Sequence, residues 1–316
     1  MVLTVVAGLD GSPESRAAAE WAAREAKLRG LPLKLVTVRE PVPEPMAQAA
    51  LLGAGTQQHW SERSETGVPP AEGWGSVPRE TAEGLRLRHP GVDVTVEQTN
   101  GRPSEVLARV AEDADAELLV LGSRGLSGIG GFLVGSVGQM VVAHAETPVV
   151  LVRAGEQAAD EHAMDPAGIP SAAPPYRPVV LGLDTGHPHD AVMEFAFDAA
   201  ARRSTALRVV HGWSLPPYFA YGMPVDLELN AELRRQDAAA LAEVLRPWRQ
   251  KFPSVEVVEE PRPGSPANHL VDASREASLL VVGRRIRRSP LGAHIGPVTH
   301  AVLHHATAPV AVVPHQ

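Results

Sequence analysis

The sequence predicts a duplicated α/β protein, with two five-stranded parallel sheets each covered by helices on both faces. Three observations carry this expectation. Short β-branched runs that are apolar on both faces, such as Leu118, Leu119, Val120 and Leu121, alternate with helical segments, as in a parallel sheet buried between helix layers. The chain also repeats itself: VVAGLDGSPESR (5–16) aligns with VVLGLDTGHPHD (179–190), matching Gly8 with Gly182 and Asp10 with Asp184. Finally, the run at 118–121 leads straight into GSRGLSGIGGFLVGS (122–136) and then into a helical pattern.

The elements of the first half follow in order. A strand at 2–9 ends at Asp10, and Ser12 with Pro13 forms an N-cap and first-position pair for a helix over 13–29. A strand at 33–39, a helix near 79–89, a strand at 92–98 and a helix at 103–113 come next. The strand at 117–122, the helix at 136–145 and the strand at 148–152 complete the half. In the second half, LKLVTV (33–38) recurs as LRVVHG (207–212), GRPSEVL (101–107) as GSPANHL (264–270), and LLVLGSRG (118–125) as LLVVGRRI (279–286). AHAETPVVLV (143–152) recurs within 303–313. The expected domains are therefore 1–153 and 178–316, each Rossmann-like. Residues 154–177, rich in Ala, Pro and acids and without periodicity, read as a flexible linker. An irregular stretch at 41–78 reads as a disordered segment or a lid. Pairing of the last strands, PVVLV (148–152) with PVAVV (309–313), would cover one open sheet edge per domain and make the chain a pseudo-dimer.

Composition removes several functions. Without cysteine there is no disulfide, thiolate metal site or cysteine nucleophile. A net charge of −8 argues against a nucleic-acid partner, because phosphate neutralisation by Lys and Arg supplies most of that affinity. The apolar N-terminal run meets Asp10 at once and no stretch approaches membrane-spanning length, so the chain reads as cytoplasmic with no membrane partner.

The glycine-rich loop is the most informative stretch. A glycine cluster suits backbone that must turn or approach a ligand closely, and a helix start offers unpaired N–H groups and a positive dipole end to an anion. A mobile surface loop is the bland alternative. No G-x-x-x-x-G-K-[ST] run is present, and no G-x-G-x-x-G opens a helix after the first strand. With strand order 3-2-1-4-5, the loop and Asp10 would share the crevice where strand order reverses, which is where such sheets bind ligands.

Gly122, two residues, Gly125, nine residues, then Gly135 and Ser136 resembles the G-x2-G-x9-G-[ST] signature of ATP-binding universal stress proteins, and GLDGS (8–12) and TPVVLV (147–152) fit the same family. The resemblance spans both halves. It implies that Asp10 contacts the nucleoside and that the backbone of Val38 pairs with the adenine edge. It further implies that Gly122 and Gly125 let the main chain approach ribose and phosphates. Gly135 and Ser136, with Val137 after them, would present donors at the helix start, and Arg124 would face the phosphates or be simply solvated. Mg²⁺ would be held mainly by the phosphates. Asp10 also has a bland reading, as a turn residue bonding its own loop, against which the recurrence of Asp184 is set.

The second half departs from the signature. Gly283 and Gly296 keep their places, but Ile286 stands where Gly125 does and Pro297 where Ser136 does. A β-branched residue at positive φ would cost ~1 to 2 kcal/mol. The lost N–H and hydroxyl would cost ~1.5 to 3 kcal/mol each. Together these predict a silent second site, with the basic run Arg284, Arg285, Arg287 and Arg288 available for some other anion. His300 and His304, at i and i+4, share a helix face, but with His305 they read as packed histidines, and no metal site is assigned.

These readings converge on a nucleotide-dependent regulatory or sensor module with ATP as ligand. A slow ATPase or phosphotransferase and a nucleotide-independent scaffold are the alternatives. The loop comes with no Walker lysine, no acidic pair and no water-positioning base, so catalysis is not expected to be fast. The protein partner and the association of two chains as a homodimer stay open.

Overall fold

The computed structural model describes residues 3–40, 77–124, 134–213, 227–286 and 295–316. The first half runs β1 (Thr4–Gly8), α1 (Pro13–Arg29), β2 (Leu33–Arg39), α2 (Val77–Arg88), β3 (Val94–Asn100), α3 (Pro103–Asp113), β4 (Ala116–Gly122), α4 (Ser136–His144) and β5 (Val149–Val152). The second runs β6 (Val179–Gly182), α5 (Asp190–Arg203), β7 (Leu207–Trp213), α6 (Leu227–Lys251), β8 (Val257–Pro263), α7 (Pro266–Ala273), β9 (Leu279–Arg285), α8 (Pro297–His305) and β10 (Val310–His315).

Period-two alternation in the strands divides the apolar residues between two layers. Val5, Leu35, Leu118 and Val150 point toward α1, α2, α5 and α6, around Trp21, Leu85, Phe197 and Leu245. Val6, Val36, Leu119 and Leu151 point the other way, toward α3, α4, α7 and α8. All ten strands form one sheet in the order β3-β2-β1-β4-β5-β10-β9-β6-β7-β8. Each half thus has the expected 3-2-1-4-5 order. The halves join where β5 and β10 run antiparallel, Val310 opposite Leu151 and Val312 opposite Val149. This seam is the expected pairing of last strands, and it leaves β3 and β8 as the sheet edges. The expected segment at 41–78 lies outside the described residues up to 76.

Charge also crosses between the halves. Glu25 of α1 is 1% exposed and bonds Arg29 at 2.7 Å and Arg203 of α5 at 2.6 Å. Arg29 in turn reaches Glu117 and Asp198.

The connecting segment, expected from its composition to be a flexible linker, makes specific contacts near both of its ends. Glu161, at the end of a 3-10 turn over Ala158–Glu161, is buried against Arg24 at 2.6 Å, and His162 forms a bridge with Tyr176. Arg177 donates to the His162 carbonyl at 2.8 Å. The physical reason is one long-range ion pair: an acid in a polar stretch looks solvated until a partner 137 residues away is known.

Nearby, burial and then the charges of Glu161 and Asp160 push the Glu156 carboxyl up to about 8. The folded state therefore keeps a proton that the unfolded chain releases, and this group's contribution to stability falls as pH rises from about 4.5 to about 8. Glu156→Gln should remove that decline. Melting followed from pH 5 to pH 9 should show the variant equal to the parent in acid and about 1 to 3 kcal/mol more stable in base, after allowance for screening. Parallel curves would refute the assignment.

Candidate functional site

The turn after β1 is built by three side chains. Asp10 Oδ1 accepts the Ser12 N–H at 2.9 Å and the Ser12 hydroxyl at 2.6 Å. The Ser12 hydroxyl in turn accepts the Ser15 N–H at 3.1 Å, capping α1. Gly11, at φ 86°, supplies the left-handed residue this turn requires. Asp184 repeats the arrangement, its Oδ1 accepting the Gly186 N–H at 3.0 Å. The recurrence of the aspartate is thus accounted for by the turn in both halves, and it no longer counts against the turn reading. In the first half the same carboxylate also borders a pocket.

That pocket holds about 230 Å³ and lies beyond the carboxyl ends of β1, β2 and β4. Gly8, Leu9 and Asp10 line its floor, with Val36 and Val38 beside them and Pro103 and Leu107 of α3 closing the apolar end. Gly122, Arg124, Gly135, Ser136 and Val137 line the polar end. Gly125 lies outside the described residues. The structure therefore gathers Asp10, Val38, Gly122, Arg124, Gly135, Ser136 and Val137 around one cavity.

Close approach explains Gly122. A Cβ there would sit 2.8 Å from the Glu14 carbonyl carbon and from the Ser15 nitrogen, so the end of β4 rests directly on the first turn of α1. Gly135 plays a different part from the expected one. It is the N-cap of α4 at φ −65°, and its N–H donates to the Ser123 carbonyl at 2.8 Å. The donors without an intrahelical acceptor are those of the first helical turn, Ser136, Val137 and Gly138. Arg124 pairs with Glu14 at 3.4 Å, and Arg153 is held below the usual arginine range by burial and then by the nearby charge of Arg124.

At the apolar end, Leu9 N–H to Val36 C=O (2.8 Å) is the last β1–β2 bond. Alternation in a parallel ladder turns the N–H and C=O of Val38 to that same side, past the end of β1. Sequence reasoning missed Ser15, Pro103, Leu107 and Gly138, which also line the cavity. GRPSEVL did recur as GSPANHL, but an apolar helix residue carries no mark that separates a ligand wall from a core.

The model of the universal stress protein family matches residues 1–153 and 175–314. The chain belongs to the universal stress protein family. A universal stress protein of Mycobacterium tuberculosis is 31% identical over 315 residues, covering 98% of this chain and 94% of the relative. One from Mycolicibacterium smegmatis is also 31% identical, over 98% and 96% of the two chains. In fold the chain is similar to the crystal structure of a universal stress protein from Archaeoglobus fulgidus, with a TM-score of 0.59 at 17% identity, covering 99% of this chain and 98% of that one.

The two universal stress protein copies differ where the first has its pocket. In the second, the start of α7 presses on β7: a Cβ on Gly212, the counterpart of Val38, would lie 2.6 Å from Pro266 Cα. Thr299 stands where Gly138 does, and its hydroxyl donates to the Gly283 carbonyl at 3.0 Å. Pro297 occupies the first position of α8, as expected. Ile286 does not behave as expected. The described non-glycine residues with positive φ are Asp115 and Ser204, so Ile286 carries no left-handed strain, and its N–H donates to the His315 carbonyl at 2.6 Å. The expected left-handed penalty is therefore not incurred at this position. Of the basic run, Arg284 is buried and donates to carbonyls of the first half, Arg285 is exposed, and Arg287 and Arg288 lie outside the described residues.

The rings of His300 and His304 meet at a tilt, 4.4 Å between centroids, and His304 faces the Gln139 amide at 3.5 Å. Among the described residues no three His, Asp or Glu side chains are grouped to hold a metal ion, and no helix is long and apolar enough to cross a membrane.

Proposed function

We propose that the first half binds ATP and that the chain is a nucleotide-dependent regulatory module of the cytoplasm. The observation that carries the reading is a single cavity with an apolar slot at β2 and a helix start at its other end. The slot offers one backbone donor and one acceptor at Val38, matching the acceptor and donor on the edge of adenine. Asp10 borders the region between, where a ribose would lie. The first turn of α4 with Arg124 suits phosphate. Mg²⁺ would ride on the phosphates, since the neighbouring acid Glu14 is paired with Arg124. No described group is placed to activate water, so hydrolysis is expected well below the ~1 to 100 s⁻¹ of kinases.

Calorimetry tests this. The chain should bind one ATP, at least about tenfold more tightly than AMP, because two further phosphates meet charge-assisted donors. Equal affinities would overturn the pose. Two sites per chain would overturn the account of the second half.

A further inference from the structure

Helix α4 is held at both ends by different halves of the chain. Its first turn lines the pocket, while its last carbonyls are taken from across the β5–β10 seam. Arg284, in β9 of the second half, donates from Nη1 to the Ala143 carbonyl at 2.9 Å and from Nη2 to the Ala145 carbonyl. The side chain is 5% exposed. Ala143 lies in the last turn of α4, where carbonyls have no intrahelical donor, so this guanidinium is a C-terminal cap supplied by the other half. On the first half's side, Val137 and Met140 face solvent, and Val141 and Val142 pack the helix on the sheet.

A helix of 9 residues spans roughly 13 Å and moves as a rod, so whatever fixes its C-terminus also fixes the direction in which its first N–H groups point. The electrostatics act in the same sense. A cation at the negative end and an anion at the positive end both stabilise one aligned set of peptide dipoles. We propose that Arg284 is a positioning residue for the phosphate end of the first half's pocket, through which the second half sets nucleotide affinity. The inference rests on the nucleotide reading above. It assigns work to the second half, where Pro266 presses on Gly212 and Thr299 bonds Gly283 at the positions matching the first half's pocket, and it makes the coupling reciprocal: phosphates bound at one end of α4 tighten the contact at the other.

The test compares ATP with adenosine by calorimetry on the full chain, unaltered and as Arg284→Gln and Arg284→Lys. Arg284→Gln should weaken ATP roughly three- to tenfold and leave adenosine unchanged, because the effect travels only to the phosphate end. Arg284→Lys, which keeps the charge without the fork, should fall between. Equal losses for both ligands would mean general loosening and would overturn the proposal, as would unchanged ATP affinity. If the unaltered chain binds no ATP, the nucleotide reading fails and takes this inference with it; unaltered binding by Arg284→Gln removes the inference alone. Should Arg284→Gln not fold, hydrogen exchange on the unaltered chain decides. ATP, and not adenosine, should slow exchange of the amides at 143–146, and identical exchange with both ligands overturns the proposal.

Discussion

Replacing Glu25 by alanine is expected to lower the stability of the chain by about 3 to 5 kcal/mol, the usual consequence of removing one member of a buried charge group. Burial alone would raise the Glu25 carboxyl, but Arg203 and Arg29 outweigh it and hold the group below its ordinary range. Without the carboxylate, Arg203, fully buried on its side chain, and Arg29 lose their shared acceptor, and each already has one guanidinium nitrogen without a hydrogen-bond partner. The loss falls on the contact between α1 and α5, and so on the junction of the halves. A melting midpoint lowered by about 5 to 8 °C is expected for a chain of 316 residues. Glu25→Gln should recover little, since it keeps the shape and forfeits the charge. A depressed carboxyl stabilises the fold above its unfolded pKa and loses this contribution as pH falls, so parent and alanine variant should converge in acid. A loss below about 1 kcal/mol would show that water reaches the cluster and the charges are not effectively buried.

Local chemistry made most of the fold legible. Helix α1 begins and ends where expected because Ser12 caps it and Pro13 can occupy only its first turn. Helix α3 likewise starts at Pro103. Strand β3 is displaced by two residues from the expected 92–98. It is an edge strand with most residues partly exposed, and alternation there has no buried face to define it. The lining of the cavity was legible where glycines and a helix start mark the chain, as at Gly122, Gly135 and Ser136. It was illegible where a long-range partner decides. Nothing near Arg284 in sequence indicates the carbonyls of Ala143 and Ala145, and nothing near Glu161 indicates Arg24. Ile286 teaches a different lesson. Its expected strain presupposed a left-handed backbone, and the residue does not adopt one, so the penalty does not apply.

Gly135→Trp is expected to abolish ATP binding, with at least about a hundredfold loss of affinity, close to 3 kcal/mol. The position is chosen because fold and site can be separated there. Gly135 sits at φ −65° and ψ 154°, open to any L-residue, and its N–H to Ser123 does not depend on a side chain. Tryptophan should therefore leave melting within a few degrees of the parent. Gly122 would not serve, since any Cβ there meets the backbone of Glu14 and Ser15 at 2.8 Å and disturbs the sheet as well as the site. A bulky indole at the N-cap of α4 occupies space beside Ser136 and Val137 and excludes phosphates from the first-turn donors. Calorimetric stoichiometry makes the outcome decisive for both halves. If the first half holds the single site, titration should fall from one ATP to none. A residual stoichiometric site would place nucleotide in the second half despite Pro266 and Thr299, and binding within threefold of the parent would show that ATP does not enter at the start of α4.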